Sequence, residues 1–178
     1  MYLCLLVVTG CTCTSQQQND ISDIDLAFIR GSFNSGSGMD EMATHVRNQG
    51  YSVKVYSPYE TIVGSPRAII GYSLGSDVAI ETAIKKRDQG TPVDLLILID
   101  PWMTKTFPAR IGKIYVIIGR GDESEYVSES PLKVIRQRGK IPILDFFIGH
   151  LNHLSIDRNP WVQTQVYRIL GTEFQIRP

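Results

Sequence analysis

The chain has 178 residues, 43% of them hydrophobic and 20% charged, which is enough for one globular domain with a buried core. Its 18 basic and 18 acidic side chains cancel, and no Lys/Arg stripe or aromatic-interleaved basic patch occurs, which argues against nucleic acid as the main partner. All three cysteines (Cys4, Cys11 and Cys13) lie near the start, so the body of the chain has no disulfide framework, cysteine metal site or cysteine nucleophile.

The opening Met1–Cys11 run is apolar but too short to span a bilayer as a helix. It reads as the hydrophobic core of a secretory signal, although no Lys or Arg precedes it. The run Val8-Thr9-Gly10-Cys11 resembles the bacterial lipobox. That resemblance implies a lipidated Cys11, a polar tether over Thr12–Asp20, and a protein anchored at the cell envelope, facing periplasm or exterior. Residues 1–20 are then signal and tether, and 21–178 the folded domain. The alternatives are a hydrophobic first strand or a start codon assigned in the wrong place, with the protein then cytoplasmic.

From Ile21 onward, short apolar runs alternate with segments of helical spacing. This is the pattern of a mostly parallel sheet covered on both faces. Six strands are expected, over Ile24–Ile29, Tyr51–Tyr56, Arg67–Ile70, Val93–Ile99, Lys113–Ile118 and Ile141–Ile148. Helices are expected over Met39–Asn48, Leu74–Arg87 and Trp161–Leu170, the first two stopped by Gly50 and Gly90. Ser57–Pro66 is a short connection between parallel strands, with room for a turn or two of helix at most.

Between the third strand and the second helix lies Gly71-Tyr72-Ser73-Leu74-Gly75. A serine on a very tight strand-to-helix turn needs glycine two residues before and after it, so that the two arms can pass. Such a turn exposes the Ser73 hydroxyl at a helix N-terminus, where free N–H groups stabilise negative charge.

A serine hydroxyl needs a base to take its proton and an acid to orient that base. Of the three histidines, His45 falls on the polar side of the first helix and reads as a solvated surface residue. His150 and His153 both follow the sixth strand, where a base can reach the end of the third. Two aspartates are candidates for the acid: Asp100 closes the fourth strand in Leu98-Ile99-Asp100-Pro101, and Asp122 follows the fifth in Gly119-Arg120-Gly121-Asp122. Asp100 is preferred because Pro101 restricts its backbone, with Asp122 as the alternative acid. Asp157 reads as a cap for the last helix or as a loop anchor.

The order serine, acid, histidine on an alternating strand–helix chain resembles the α/β-hydrolase superfamily over Ile24–Leu170. Within it, His153-Leu154-Ser155-Ile156-Asp157 resembles the histidine loop of small thioesterase- and lipase-like members. Arg30-Gly31-Ser32-Phe33 and the residues up to Asp40 resemble their oxyanion loop. The resemblance implies a minimal fold of about six mostly parallel strands, with Ser73 as nucleophile, His153 as base and Asp100 as acid. It leaves His150 as a supporting residue. The oxyanion donors are then backbone N–H groups of Leu74 and of Ser32 or Phe33. Arg30-Gly31 stands where the family has His-Gly, which backbone donors tolerate.

Only Pro101–Gly112 separates the fourth and fifth strands, so no large lid is expected. Trp102, Met103, Phe107 and Leu151 would rim an open site, lining an acyl pocket or covering the sheet end. No dinucleotide fingerprint or phosphate-binding lysine loop occurs, and no other ligand cluster supports a metal at His150 and His153. The implied activity is cleavage of a small-molecule ester or thioester through an acyl-serine, with no cofactor. The rival is a catalytically inactive hydrolase-fold lipoprotein serving as a binding or surface module.

Overall fold

Alternation within the short apolar runs decides which side of the sheet each residue faces. A computed structural model of the chain describes residues 25–32, 38–101, 111–117, 119–120, 148–149 and 153–174. Strands β1 (Asp25–Ile29), β2 (Ser52–Tyr56), β3 (Ala68–Tyr72), β4 (Leu95–Ile99) and β5 (Lys113–Ile117) form one parallel sheet in the order β2-β1-β3-β4-β5. Leu26 stands opposite Val53 and Ala68, and Ile97 opposite Ile70 and Tyr115. Every residue of β3 and β4 is buried, as central strands of a twice-covered parallel sheet require.

The two faces carry separate cores. On one, Phe28, Ile70, Tyr72 and Ile97 pack with Met42 and Val46 of helix α1 (Gly38–Asn48) and with Val166 and Leu170 of the last helix, α3 (Pro160–Phe174). On the other, Ile29, Ile69, Leu96 and Val116 pack with Ala79, Ile80 and Ala83 of helix α2 (Leu74–Asp88). The chain steps outward from β1 to β2, then returns past β1 to β3 and continues in order to β5. The reversal leaves a crevice at the carboxyl ends of β1 and β3, where open α/β sheets bind their ligands.

Several boundaries shift from expectation, two of them with structural consequences. β3 continues through Gly71 and Tyr72, so the strand runs up to Ser73 itself. α3 is longer than the expected Trp161–Leu170, because Phe174 is buried and its carbonyl accepts a hydrogen bond from the Tyr51 hydroxyl at 3.3 Å. Of the expected sixth strand, residues 141–147 lie outside the described residues. Its end, β7 (Ile148–Gly149), pairs in parallel with β6 (Gly119–Arg120) as a two-stranded ladder. The Ser57–Pro66 connection contains no helix and holds its course with a turn in which Glu60 N–H donates to the Ser57 carbonyl.

Candidate active site

The glycines around Ser73 are there for room. A Cβ on Gly71 would overlap the Gly75 carbonyl, and one on Gly75 would overlap the carbonyls of Ile29 and Arg30. Strand β3, helix α2 and the end of β1 therefore meet at backbone contact. Ser73 itself has φ 53° and ψ −122°, a conformation that side-chain-bearing residues rarely adopt. Three hydrogen bonds hold it: Ser73 N–H to the Ile99 carbonyl, Ser76 N–H to the Ser73 carbonyl, both at 2.9 Å, and Ser76 Oγ to the Gly71 carbonyl at 2.8 Å. Although Ser73 occupies the N-cap position of α2, its side chain makes no capping bond.

The hydroxyl is directed elsewhere. Ser73 Oγ lies 2.8 Å from His153 Nε2, and His153 Nδ1 lies 2.6 Å from Asp100 Oδ2. A carboxylate accepts only, so Nδ1–H donates to Asp100 and Nε2 is left to accept from the serine hydroxyl. The imidazole is partly open, with its side chain 31% exposed, whereas the Asp100 side chain is 5% exposed. Asp100 follows β4 with φ 45° and donates its N–H to the Ile117 carbonyl at 2.7 Å. The restraint on its backbone thus differs from the one expected. A residue before proline favours an extended backbone, but Asp100 is left-handed, and its bond to β5 holds it there.

Comparison with solved structures places this arrangement in context. The chain matches a dienelactone hydrolase-like promiscuous phosphotriesterase from metagenomic libraries, with TM-score 0.61 and 12% identity, over 89% of this chain and 88% of that one. It matches a hydrolase of the α/β superfamily from Xanthomonas campestris, with TM-score 0.56 and 17% identity, over 85% and 98%. It also matches the NocB thioesterase domain, solved as a covalent complex with a fluorophosphonate, with TM-score 0.54 and 10% identity, over 86% and 97%. The fold is that of the α/β hydrolases. No family model matches the chain, and no curated protein does.

Just beyond β1, Gly31 lies against Ser73. A Cβ on Gly31 would come within 3.2 Å of Ser73 Cβ. This brings the chain at Gly31 and Ser32 to the same crevice as Leu74, the first residue of α2. The first N–H groups of a helix have no partner within the helix, and Leu74 is the first residue of α2. Arg30, which precedes Gly31, is engaged by an acidic partner. Its guanidinium grips the Asp40 carboxylate, with Nε 3.0 Å from Oδ2 and a second bond to Oδ1, and so ties the end of β1 to the first turn of α1.

Of the two readings of Asp157, helix cap or loop anchor, the second holds. The cap of α3 is Asn159, whose Oδ1 accepts from Trp161 N–H at 2.9 Å. Asp157 is a loop anchor instead. Buried in a 3-10 turn (Ile156–Arg158), it faces the backbone N–H groups of Gly38 and Met39 at the start of α1. Burial raises its pKa above the usual carboxylate range, and those N–H groups act in the opposite direction. His45 is exposed as expected, but it also stacks on Tyr167 of α3 with ring centroids 4.1 Å apart.

Asp122, His150, Phe33, Trp102, Met103, Phe107, Leu151 and Cys11 all lie outside the described residues. Sequence reasoning passed over Tyr72 and Ser76. Ser76 had a local signal, a serine in the first turn of the helix leaving the elbow. Tyr72 had only its place in the motif, because its partner lies 81 residues further on.

Proposed function

We propose that the protein is a serine hydrolase that cleaves an ester or thioester through an acyl-Ser73 intermediate. The observation that carries this reading is the unbroken line of hydrogen bonds from Ser73 Oγ through the His153 ring to Asp100. The fold adds support, since its structural neighbours include a promiscuous phosphotriesterase and a thioesterase domain.

On this reading, Oγ attacks the carbonyl carbon of the substrate while its proton passes to His153 Nε2. The negative charge moves to the carbonyl oxygen, which faces backbone N–H groups of Leu74 and of Ser32 or Phe33. The intermediate collapses, the bond to the leaving oxygen or sulfur breaks, and Nε2–H protonates that atom. Water then repeats the sequence on the acyl-enzyme, with His153 taking a water proton and returning one to Ser73 Oγ. Asp100 keeps Nδ1–H pointed toward itself throughout, which presents Nε2 as the base and stabilises the imidazolium. These steps use side chains and backbone N–H groups alone.

A fluorophosphonate probe tests the reading, because it labels only an activated serine. Labelling of the parent protein and its loss in Ser73→Ala are expected. An unlabelled but folded parent would return the chain to the rival class, a hydrolase fold serving as a binding module. We further propose, from the lipobox-like Val8–Cys11 run, that Cys11 carries a lipid anchor.

A further inference from the structure

The residue immediately before the nucleophile ends β3 on the face where α1, α3 and the histidine turn pack. There, Tyr72 is buried with Ala68 and Ile70 of the same strand. Its hydroxyl donates a hydrogen bond to the backbone carbonyl of His153. Its ring lies 5.6 Å from the imidazole, centroid to centroid, at an interplanar angle of 34°. The ring also closes against Gly31, where an added Cβ would come within 3.1 Å of two ring carbons. One side chain thus touches the chain at Gly31 and the main chain of the proposed base, on a residue joined by a peptide bond to the proposed nucleophile.

We propose that Tyr72 is a positioning residue, its hydroxyl fixing the main chain of His153 so that the imidazole bridges Ser73 and Asp100. This rests on the hydrolase reading only for its effect on turnover. The physical argument is one of leverage. His153 precedes a single 3-10 turn, and its ring must span two partners, at 2.8 Å and 2.6 Å, on adjacent strands. A backbone shift at His153 moves both bonds together, and misplacement of a reacting group by about an ångström is costly in rate. The hydroxyl is well suited to the task. Burial, together with the nearby Asp157 and Asp100 carboxylates, keeps the phenol protonated well above the ordinary tyrosine range, so it remains a donor at every working pH.

Tyr72→Phe removes the hydroxyl and keeps the ring. For p-nitrophenyl butyrate, kcat should fall about tenfold while KM stays within about twofold, the size and split expected when one orienting hydrogen bond is lost. Tyr72→Leu, which loses the ring as well, should fall further. The low-field proton NMR signal of the His153–Asp100 hydrogen bond, recorded without substrate, should broaden in Tyr72→Phe through faster exchange. A folded Tyr72→Phe with parental kcat and an unchanged signal would overturn the assignment. So would a variant that does not fold, since the hydroxyl would then be holding the domain rather than the base. If the parent cleaves no ester, yet its signal is present and broadens in Tyr72→Phe, the positioning role stands and the hydrolase reading fails.

Discussion

At the scale of single residues, the assignment of the acid is open to direct test. Asp100 follows β4, the strand beside the one that leads into Ser73, and has Oδ2 2.6 Å from His153 Nδ1. Replacing it with asparagine places an amide where a carboxylate is needed, so that Nδ1 no longer keeps its proton facing that side. Asp100→Asn should therefore lower kcat by several orders of magnitude, as loss of the correct tautomer does, while Asp122→Asn should cost about tenfold or less. The reverse ranking in ester hydrolysis would move the role to Asp122 and leave Ser73 and His153 in place. That Ser73, Asp100 and His153 meet was legible in the sequence, because a glycine-flanked serine and strand-ending residues converge wherever parallel strands end at one edge. The hold on Asp100 was not legible. Its left-handed φ and its bond to Ile117 depend on how β4 and β5 pair, which the local Asp-Pro signal does not contain.

At the scale of elements, the turn carrying His153 is welded to the start of α1. A Cβ on Gly38 would overlap the Asp157 carbonyl and come within 2.8 Å of the Arg158 nitrogen, so the two backbones are in contact. The alternating strands and helices were legible from periodicity. This weld was not, since Asp157 and Gly38 are far apart in sequence and each reads locally as ordinary turn chemistry. The buried Asp157 carboxylate gives the weld a pH signature. Its folded pKa is raised, so the folded state binds the proton more tightly than the unfolded state. The contribution is most favourable below the ordinary carboxylate range and is lost as pH rises toward the folded value. Asp157→Asn removes that slope. In urea titrations from about pH 3 to pH 7, the stability of the variant relative to the parent should rise with pH. A difference that stays flat across the range would show that the carboxylate is not strained by burial.

At the scale of the whole molecule, two predictions separate attachment from folding. No helix among the described residues is long and apolar enough to cross a membrane. On the proposal for Cys11, full-length protein made in a bacterium should partition with membranes and take up a fatty-acid label. Cys11→Ser should abolish the label. Unlabelled, soluble protein that retains Met1 would reject the anchor and the envelope placement with it. The second prediction concerns Ser73, whose φ of 53° and ψ of −122° suit glycine and few other residues. Ser73→Ala keeps a Cβ in that conformation, whereas Ser73→Gly removes it and should melt higher than Ser73→Ala by the equivalent of about 1 kcal/mol or more. Equal melting temperatures would show that the elbow is relaxed. If the difference appears, then on the hydrolase reading thermal robustness and ester turnover pull in opposite directions at this one position. A library selected only for surviving heat would then drift toward glycine at residue 73 and arrive at a sturdier protein without the proposed nucleophile.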